Sequence, residues 1–85
     1  MEEYNVAARL KIYLDGPASL DGVKSGIEKL TKVQRFWEED VGFGIKVLKV
    51  NILMKDSEGG MEALESSIRN IKGVSELEVE EVGRV

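Results

Sequence analysis

The strongest strand signal in the chain is the stretch Ile45-Lys46-Val47-Leu48-Lys49-Val50-Asn51-Ile52-Leu53-Met54-Lys55, and it decides the fold. Its residues alternate with the period of two that is typical of a β-strand. One face of this strand carries Leu48, Val50, Ile52 and Met54. The other face carries Val47, Lys49, Asn51 and Leu53. Because the second set is mixed in polarity, we expect a sheet that is covered on one face and open to solvent on the other.

Three weaker strand signals flank this stretch. Val6–Leu14 alternates apolar and polar residues, Val33–Glu38 carries two adjacent aromatic residues, and Ser75–Val82 contains short apolar alternation. The segments between the strands contain turn residues and charges, namely Asp15-Gly16-Pro17, the acidic connection Glu38-Glu39-Asp40 and the loop Asp56-Ser57-Glu58-Gly59-Gly60.

Two stripes of apolar residues at helical spacing lie between the strands. The first stripe carries Leu20, Val23, Ile27 and Leu30. The second, in a helix from about Met61 to Ile71, carries Met61, Leu64, Ile68 and Ile71. We expect the hydroxyl of Ser19 to cap the first helix and Gly73 to adopt the left-handed conformation that ends the second.

The two stripes coincide when one is shifted onto the other, which indicates an internal β-α-β repeat. Two such halves form a ferredoxin-like β-α-β-β-α-β sandwich. Because crossover connections are right-handed, both helices lie on one face of the sheet. The predicted fold is therefore α+β, a four-stranded antiparallel sheet with two helices on one face. With 85 residues, residues 1–85 are expected to form one domain.

The composition excludes several kinds of chemistry. The chain contains no cysteine and no histidine. Thiolate nucleophiles, Cys-based metal or iron–sulfur sites and Ser-His-Asp catalysis are therefore excluded. Gly59-Gly60 is followed by Met61-Glu62 rather than by the Lys-Ser/Thr of a phosphate-binding loop, so direct nucleotide binding is not expected. We expect no cofactor and no metal.

The charge and hydropathy patterns favour a cytoplasmic protein. No stretch reaches the roughly 20 apolar residues of a membrane span. The first residues, Met1-Glu2-Glu3-Tyr4-Asn5, lack the basic and apolar regions of a signal peptide. The net charge of −4 argues against nucleic acid, which needs a basic face.

Gly42-Phe43-Gly44 matches part of the central-strand motif of RNA-recognition modules. Val41 stands where that motif has a basic residue, and Ile45 and Leu48 replace its aromatic residues. Since bases stack on aromatic side chains, a single Phe provides no platform, and RNA binding is not expected from this motif. Phe43 is otherwise interpreted as a core or sheet-edge residue.

Other residues point to contacts with another protein. Phe36 and Trp37 are adjacent, so they should point to opposite faces of their strand, and tryptophan is common in binding hot spots. The carboxylates of Glu38, Glu39 and Asp40 are interpreted as solvated loop charges or partner contacts rather than as a metal site. Glu76, Glu78, Glu80 and Glu81 are interpreted as an acidic solvent face. Gly83-Arg84-Val85 is predicted to be a short tail with mobile Gly83, from which Arg84 reaches beyond the domain surface.

Three segments of this chain resemble the archaeal translation elongation factor 1-beta family. They are Gly42–Leu53, Asp56–Glu65 and Ile71–Val79. The exchange domain of eukaryotic elongation factor 1-beta is similar over the same Gly-aromatic-Gly-Ile-Lys strand. The resemblance covers nearly the whole chain and is most specific over residues 42–82.

The resemblance implies a ferredoxin-like domain that exchanges GDP for GTP on elongation factor 1-alpha, a GTPase that it meets near the magnesium and nucleotide site. It implies no enzymatic chemistry by this chain. The family uses a basic residue next to the C-terminus, here Arg84, where eukaryotic relatives have lysine, flanked by Gly83 and Val85. The other implied contact region, at the same end of the domain, contains Phe36, Trp37, Glu38, Val41 and Phe43.

Two alternatives remain open from the residues alone. One is a non-catalytic interaction module that associates through an exposed sheet edge. The other is an RNA-binding module that uses the open sheet face.

Overall fold

The computed structural model describes residues 4–16, 19–55 and 60–84. Its elements, in chain order, are β1 (Val6–Leu14), α1 (Leu20–Leu30), β2 (Lys32–Gly42), β3 (Ile45–Met54), α2 (Gly60–Arg69) and β4 (Val74–Arg84). The predicted order of strands and helices is confirmed. The predicted turns at Pro17 and at residues 56–59 lie outside the described residues.

All four strands form one sheet in the order β2-β3-β1-β4, and every neighbouring pair is antiparallel. β1 lies between β3 and β4, so each β-α-β half contributes one inner and one edge strand. This is the ferredoxin-like α+β arrangement that the repeat predicts. Across residues 4–16, 19–55 and 60–84, no helix has the length and apolarity needed to cross a membrane.

The core lies between the two helices and one face of the sheet, which we call the covered face. α1 contributes Val23 and Ile27, and α2 contributes Leu64 and Ile68. The strands contribute Val6, Ala8, Leu10, Ile12, Leu48, Val50, Ile52, Met54 and Leu77. The alternation predicted for β3 is confirmed, because its covered face holds the apolar set in full. The opposite face of the sheet, which no helix covers, is called the open face.

The end of β2 differs from the prediction. The acidic residues expected in a connection belong to the strand, which continues to Gly42. In the ladder with β3, Glu39 lies opposite Val47 and Asp40 opposite Lys46. Charged residues are tolerated here because β2 is an edge strand, and Asp40 has a lysine as its cross-strand neighbour.

The end of β4 also differs from the prediction. Gly83 and Arg84 do not form a tail, since they pair in the sheet with Ala7 and Val6. Strand pairing uses backbone N–H and C=O groups and does not need apolar side chains. Pairing with β1 can therefore continue β4 beyond the apolar part of its sequence. Val85 lies outside the described residues.

Two turn predictions have different outcomes. Ser19 precedes α1 but its hydroxyl makes no cap hydrogen bond. It donates instead to the carboxylate of Asp15 at 2.7 Å. The backbone of Ser19 is helical, with φ −80° and ψ −14°, whereas a capping residue has an extended backbone that aims its side chain at the first helix N–H groups. Gly73 has the predicted positive φ, at 105°, although α2 ends earlier, at Arg69.

Candidate functional site

The β2–β3 hairpin ends in a two-residue turn at Phe43 and Gly44. Both residues have positive φ, 56° and 74°, as a type I′ turn requires. Gly44 adopts this conformation readily, whereas an aromatic residue does so at a cost in free energy. The backbone N–H of Gly42 donates to the carboxylate of Asp40 at 2.8 Å, which further fixes the approach to the turn.

Phe43 is fully exposed, with a relative accessibility of 103%. Its interpretation as a core or sheet-edge residue is therefore wrong. Val41 and Ile45, on either side of the turn, are exposed as well, at 43% and 53%. We call residues 41–45 the hairpin tip. The ladder between β1 and β3 extends only to Leu48, so the hairpin tip projects beyond the neighbouring strand.

Glu38 lies at the base of this projection, beside a groove on the covered side of the hairpin. The groove has a volume of about 490 Å³. Its lining includes apolar Leu14, Leu20 and Leu48 together with the charged Lys46. Glu38 and Lys46 therefore border an apolar surface next to the hairpin tip.

Phe36 and Trp37 point to opposite faces of the sheet, as predicted. Phe36 packs against the core, and the ammonium of Lys24 lies 5.6 Å from its ring centroid. Trp37 lies on the open face, where its indole N–H donates to a carboxylate oxygen of Glu39 at 3.1 Å. The guanidinium of Arg35 lies 4.9 Å from the ring of Trp37. Of the two aromatics, Trp37 is therefore the one that a partner could reach without disturbing the core.

Lys49 is the centre of an ion-pair network on the open face that the sequence did not predict. Only 7% of this residue is exposed. Its ammonium lies 3.8 Å from a carboxylate oxygen of Glu39 on β2 and is hydrogen-bonded to Glu80 on β4. The hydrogen bond from Lys49 lowers the pKa of the Glu80 carboxyl. The network connects the two edge strands, β2 and β4. The signal in the sequence that could have predicted it is a lysine in the middle of the apolar strand β3, together with acidic residues on both edge strands.

Arg84 marks the other end of the sheet. It borders two depressions, one on each face. On the covered side, an apolar depression of about 280 Å³ is lined by Val6, Met54, Gly60, Met61, Val82 and Gly83. On the open side, a polar depression of about 250 Å³ contains Arg9, Gln34, Asn51 and Glu81.

The hairpin tip and Arg84 lie at opposite ends of the sheet. β3 begins at Ile45 beside the hairpin tip and ends at Met54, whose partner in β1 is Val6. Val6 is also the ladder partner of Arg84. At a rise of about 3.3 Å per residue, β3 separates the two by roughly 30 Å. The molecule is 41 Å long. The expectation that both contact regions share one end is therefore wrong.

The acidic residues on the described part of the chain do not form a metal site. Within residues 4–16, 19–55 and 60–84 there is no cluster of three or more potential ligands. Glu38, Glu39 and Asp40 alternate between the faces of β2, which separates their carboxylates.

Comparison with known proteins gives a consistent result. Residues 18–85 match the model of the EF-1 guanine nucleotide exchange domain. The chain is 42% identical over 65 residues to elongation factor 1-beta of Thermoplasma acidophilum, covering 76% of this chain and 74% of the relative. It is 41% identical to elongation factor 1-beta of Aeropyrum pernix, covering 94% and 96%. For the protein of the same name from Methanothermobacter thermautotrophicus the identity is 35%, covering 95% and 97%.

Solved structures share the fold. The ACT domain of a GTP pyrophosphokinase from Chlorobium tepidum matches with a TM-score of 0.67 at 19% identity, covering 89% of this chain and 99% of the other. The C-terminal domain of MgtC from Mycobacterium tuberculosis matches with a TM-score of 0.68 at 13% identity, covering 100% and 93%. At these identities the likeness concerns the fold alone.

Proposed function

Since the chain belongs to the EF-1 guanine nucleotide exchange family and is a translation elongation exchange factor, we propose that its partner is the GTPase elongation factor 1-alpha. In this proposal it promotes the exchange of GDP for GTP by binding near the magnesium and nucleotide site of the GTPase. The chain supplies contacts, and the partner keeps the nucleotide chemistry.

The observation that carries the proposal is the complete exposure of Phe43 on the hairpin tip. A large apolar side chain in water gains free energy when a partner covers it, and buried aromatic anchors dominate many interfaces. The turn also fixes the backbone of Phe43 before binding. Little conformational entropy of that backbone is then lost on association.

The second contact of the proposal is Arg84, roughly 30 Å from the hairpin tip along the sheet. The GTPase must therefore offer two separate surfaces, one apolar for Phe43 and one acidic for Arg84. Pairing of Arg84 with Val6 in the sheet fixes its backbone, so its guanidinium is presented by a strand end rather than by a loose tail.

Release of GDP follows from thermodynamic linkage. A factor that binds the empty GTPase more tightly than the GDP form weakens GDP by the same ratio. A 100-fold weakening needs about 2.7 kcal/mol of difference in binding free energy. We propose that Arg84 supplies part of this difference, because a guanidinium near the magnesium site competes with the metal for its anionic ligands.

The test is the rate of fluorescent GDP release from elongation factor 1-alpha in the presence of excess GDP. The wild-type chain should accelerate release. Phe43→Ala and Arg84→Ala should each lose about 30-fold of the acceleration, the scale of a hot spot of 2 kcal/mol. Deletion of residues 83–85 should lose at least as much as Arg84→Ala.

Matched controls are available on α1. Leu30, exposed at 41%, and Lys29 lie at the end of α1 that leads into β2, whereas Arg84 lies on β4 at the opposite edge of the sheet. Leu30→Ala and Lys29→Ala should therefore retain wild-type acceleration. A wild-type chain that leaves GDP release unchanged would overturn the proposal. Unchanged rates for Arg84→Ala and for the deletion would remove that end from the mechanism.

The position of Phe43 speaks against the RNA-binding alternative. A base-stacking surface requires aromatic residues on the face of the sheet. Phe43 lies at the projecting turn instead, and the open face beside β4 carries Glu76, Glu78 and Glu80. Carboxylates repel the phosphates of RNA, so this face favours a protein partner.

A further inference from the structure

The polar depression on the open face near Arg84 has a simple structural origin. Ala7 and Gly83 are ladder partners, and Ala7 carries only a methyl group while Gly83 has no side chain. The layer of long side chains that fills the rest of the open face is therefore interrupted at this point. Arg9, Gln34, Asn51 and Glu81 line the resulting space of about 250 Å³.

A β-bulge determines which carboxylate lies beside Arg9. In the ladder between β1 and β4, Arg9 is opposite Glu81 and Leu10 is opposite Val79, so Glu80 has no partner in β1. Glu80 turns to Lys49, where it is held by a hydrogen bond in a partly buried position. Arg9 keeps only a longer-range attraction to Glu80, and the carboxylate that forms an ion pair with it is Glu81.

The pair between Arg9 and Glu81 is weak. Its closest nitrogen–oxygen distance is 3.5 Å, whereas a charge-assisted hydrogen bond measures about 2.7–2.9 Å. The two side chains are 44% and 68% exposed. Exposed ion pairs of this kind contribute little to stability, so a better-placed carboxylate can replace Glu81.

We propose that the polar depression binds a carboxylate side chain of the partner GTPase, which displaces Glu81 from the guanidinium of Arg9. This inference rests on the proposed function and adds a third contact to it. The amides of Gln34 and Asn51 provide further donors, and the fork of Arg9 matches the two oxygens of a carboxylate.

The location of the depression indicates the chemistry of its ligand. Arg84 borders the depression and is the residue proposed to approach the magnesium site of the partner. Magnesium sites are built from carboxylates together with phosphate oxygens. With Arg84 engaged as proposed, we expect the surface that faces Arg9 to carry carboxylates. The lining of the depression, which includes Arg9 and Arg84 and one glutamate, is suited to such a surface.

The experiment measures the dissociation constant for nucleotide-free elongation factor 1-alpha by titration calorimetry. Arg9→Gln should weaken binding about 10-fold, since one charged contact is lost. Arg9→Lys should recover only part of the loss, because an ammonium cannot bind both oxygens. Glu81→Gln should tighten binding about 3-fold, because the internal competitor loses its charge.

Lys11→Gln is the matched control. Lys11 lies on the same strand and face, two residues from Arg9, and opposite Glu78 rather than at the depression. The same change in net charge should leave the dissociation constant within about 2-fold, since general surface electrostatics are weak at physiological salt.

The outcomes separate this inference from the function on which it rests. If the wild-type chain does not bind the GTPase, the proposed function fails. If the wild type binds but Arg9→Gln binds equally well, or if Lys11→Gln is equally impaired, the depression is not a specific site. The titration is repeated with the GDP-bound GTPase, and a loss confined to that form would show a phosphate ligand and would overturn the carboxylate assignment.

Discussion

The two ends of the sheet are built in opposite ways. At the hairpin tip, Phe43 is held away from every other element by a turn that keeps its φ positive. At the other end, Arg84 is held in register by β1 and borders a depression on each face. One end uses backbone conformation to display an apolar group, and the other uses a ladder to position a charged one.

The difference shows how each kind of group can be prepared for binding. An aromatic ring needs only to be kept exposed, and a short turn achieves this without supporting contacts. A guanidinium needs a defined position relative to its target, because the energy of a charged contact depends on geometry. A strand end supplies such a position, whereas a free tail loses entropy when it is ordered.

The largest expected effect tests whether the two ends act independently. Sites far apart without shared partners contribute additively, so combining Phe43→Ala with Arg84→Ala should reduce GDP-release acceleration roughly 1,000-fold, the product of two losses of about 30-fold. Rates are compared for the two single variants and the double variant. A double variant no worse than the poorer single variant would show that the two ends act through one contact.

The next effect concerns the end of the sheet that carries the hairpin tip. There the turn between α2 and β4 packs against the start of α1. A Cβ at Gly73 would lie 2.6 Å from the Cβ of Ser19, and its φ is 105°. Gly73→Ala should lower the free energy of unfolding by about 3 kcal/mol, measured by urea denaturation.

Gly22→Ala is the control for that variant. Gly22 lies within α1, and a Cβ there would meet nothing within 4 Å. The substitution should raise the free energy of unfolding by about 0.5–1 kcal/mol through helix propensity. Equal stability of both variants would show that the contact between Gly73 and Ser19 does not constrain the fold.

A smaller effect of opposite sign is expected at the hairpin tip itself. Asn followed by Gly is the preferred pair for a type I′ turn, so Phe43→Asn should raise the free energy of unfolding by about 1 kcal/mol. The same variant should lose GDP-release acceleration as Phe43→Ala does. Urea denaturation and the exchange assay together would show a conflict between stability and binding. A destabilised Phe43→Asn would show that the ring makes stabilising contacts after all.

The smallest effect lies between the two ends, in the Lys49 network. The folded-state pKa of Glu80 is lowered from 4.5, first by the hydrogen bond from Lys49. Its ionised form therefore stabilises the fold above pH 4.5, and this contribution is lost as the pH falls through the lowered pKa. Glu80→Gln should flatten the decline of the melting temperature below that pH. Glu76→Gln, on the same strand, should keep it, and an equally steep decline in both variants would contradict the assignment.

The core was predictable from the sequence because burial follows the chain's own alternation. Leu48, Val50, Ile52 and Met54 repeat every second residue, and only one face of β3 can bury them. The opposite orientations of Phe36 and Trp37 follow from the same rule.

The strand ends were not predictable, because a partner strand determines them. The acidic end of β2 is part of the strand because it pairs with β3, and Gly83 and Arg84 are part of β4 because they pair with β1. No pattern within either segment reports that pairing. The bulge at Glu80 is likewise a property of β1 and β4 together, and the hydrogen bond of Glu80 to Lys49 depends on a third strand, β3.

The candidate site was predicted in part for the same reason. The motif Gly42-Phe43-Gly44 fits both an extended strand and a turn, and only the register between β2 and β3 places Phe43 at the turn. That register makes the difference between a side chain packed in the sheet and one fully exposed. Arg84 is proposed as a contact residue from the family resemblance, and its position at the end of the sheet opposite the hairpin tip could be known only from the order of the strands.

Trp37 gives the molecule a built-in optical reporter. It is the only tryptophan in the chain, and it lies on the open face between the hairpin tip and Arg84. Its indole is in contact with Arg35 and Glu39. Because the emission of an indole depends on the polarity and charge around it, the position of its emission maximum reports on this central region without any label. Selective excitation would separate it from the two tyrosines, Tyr4 and Tyr13.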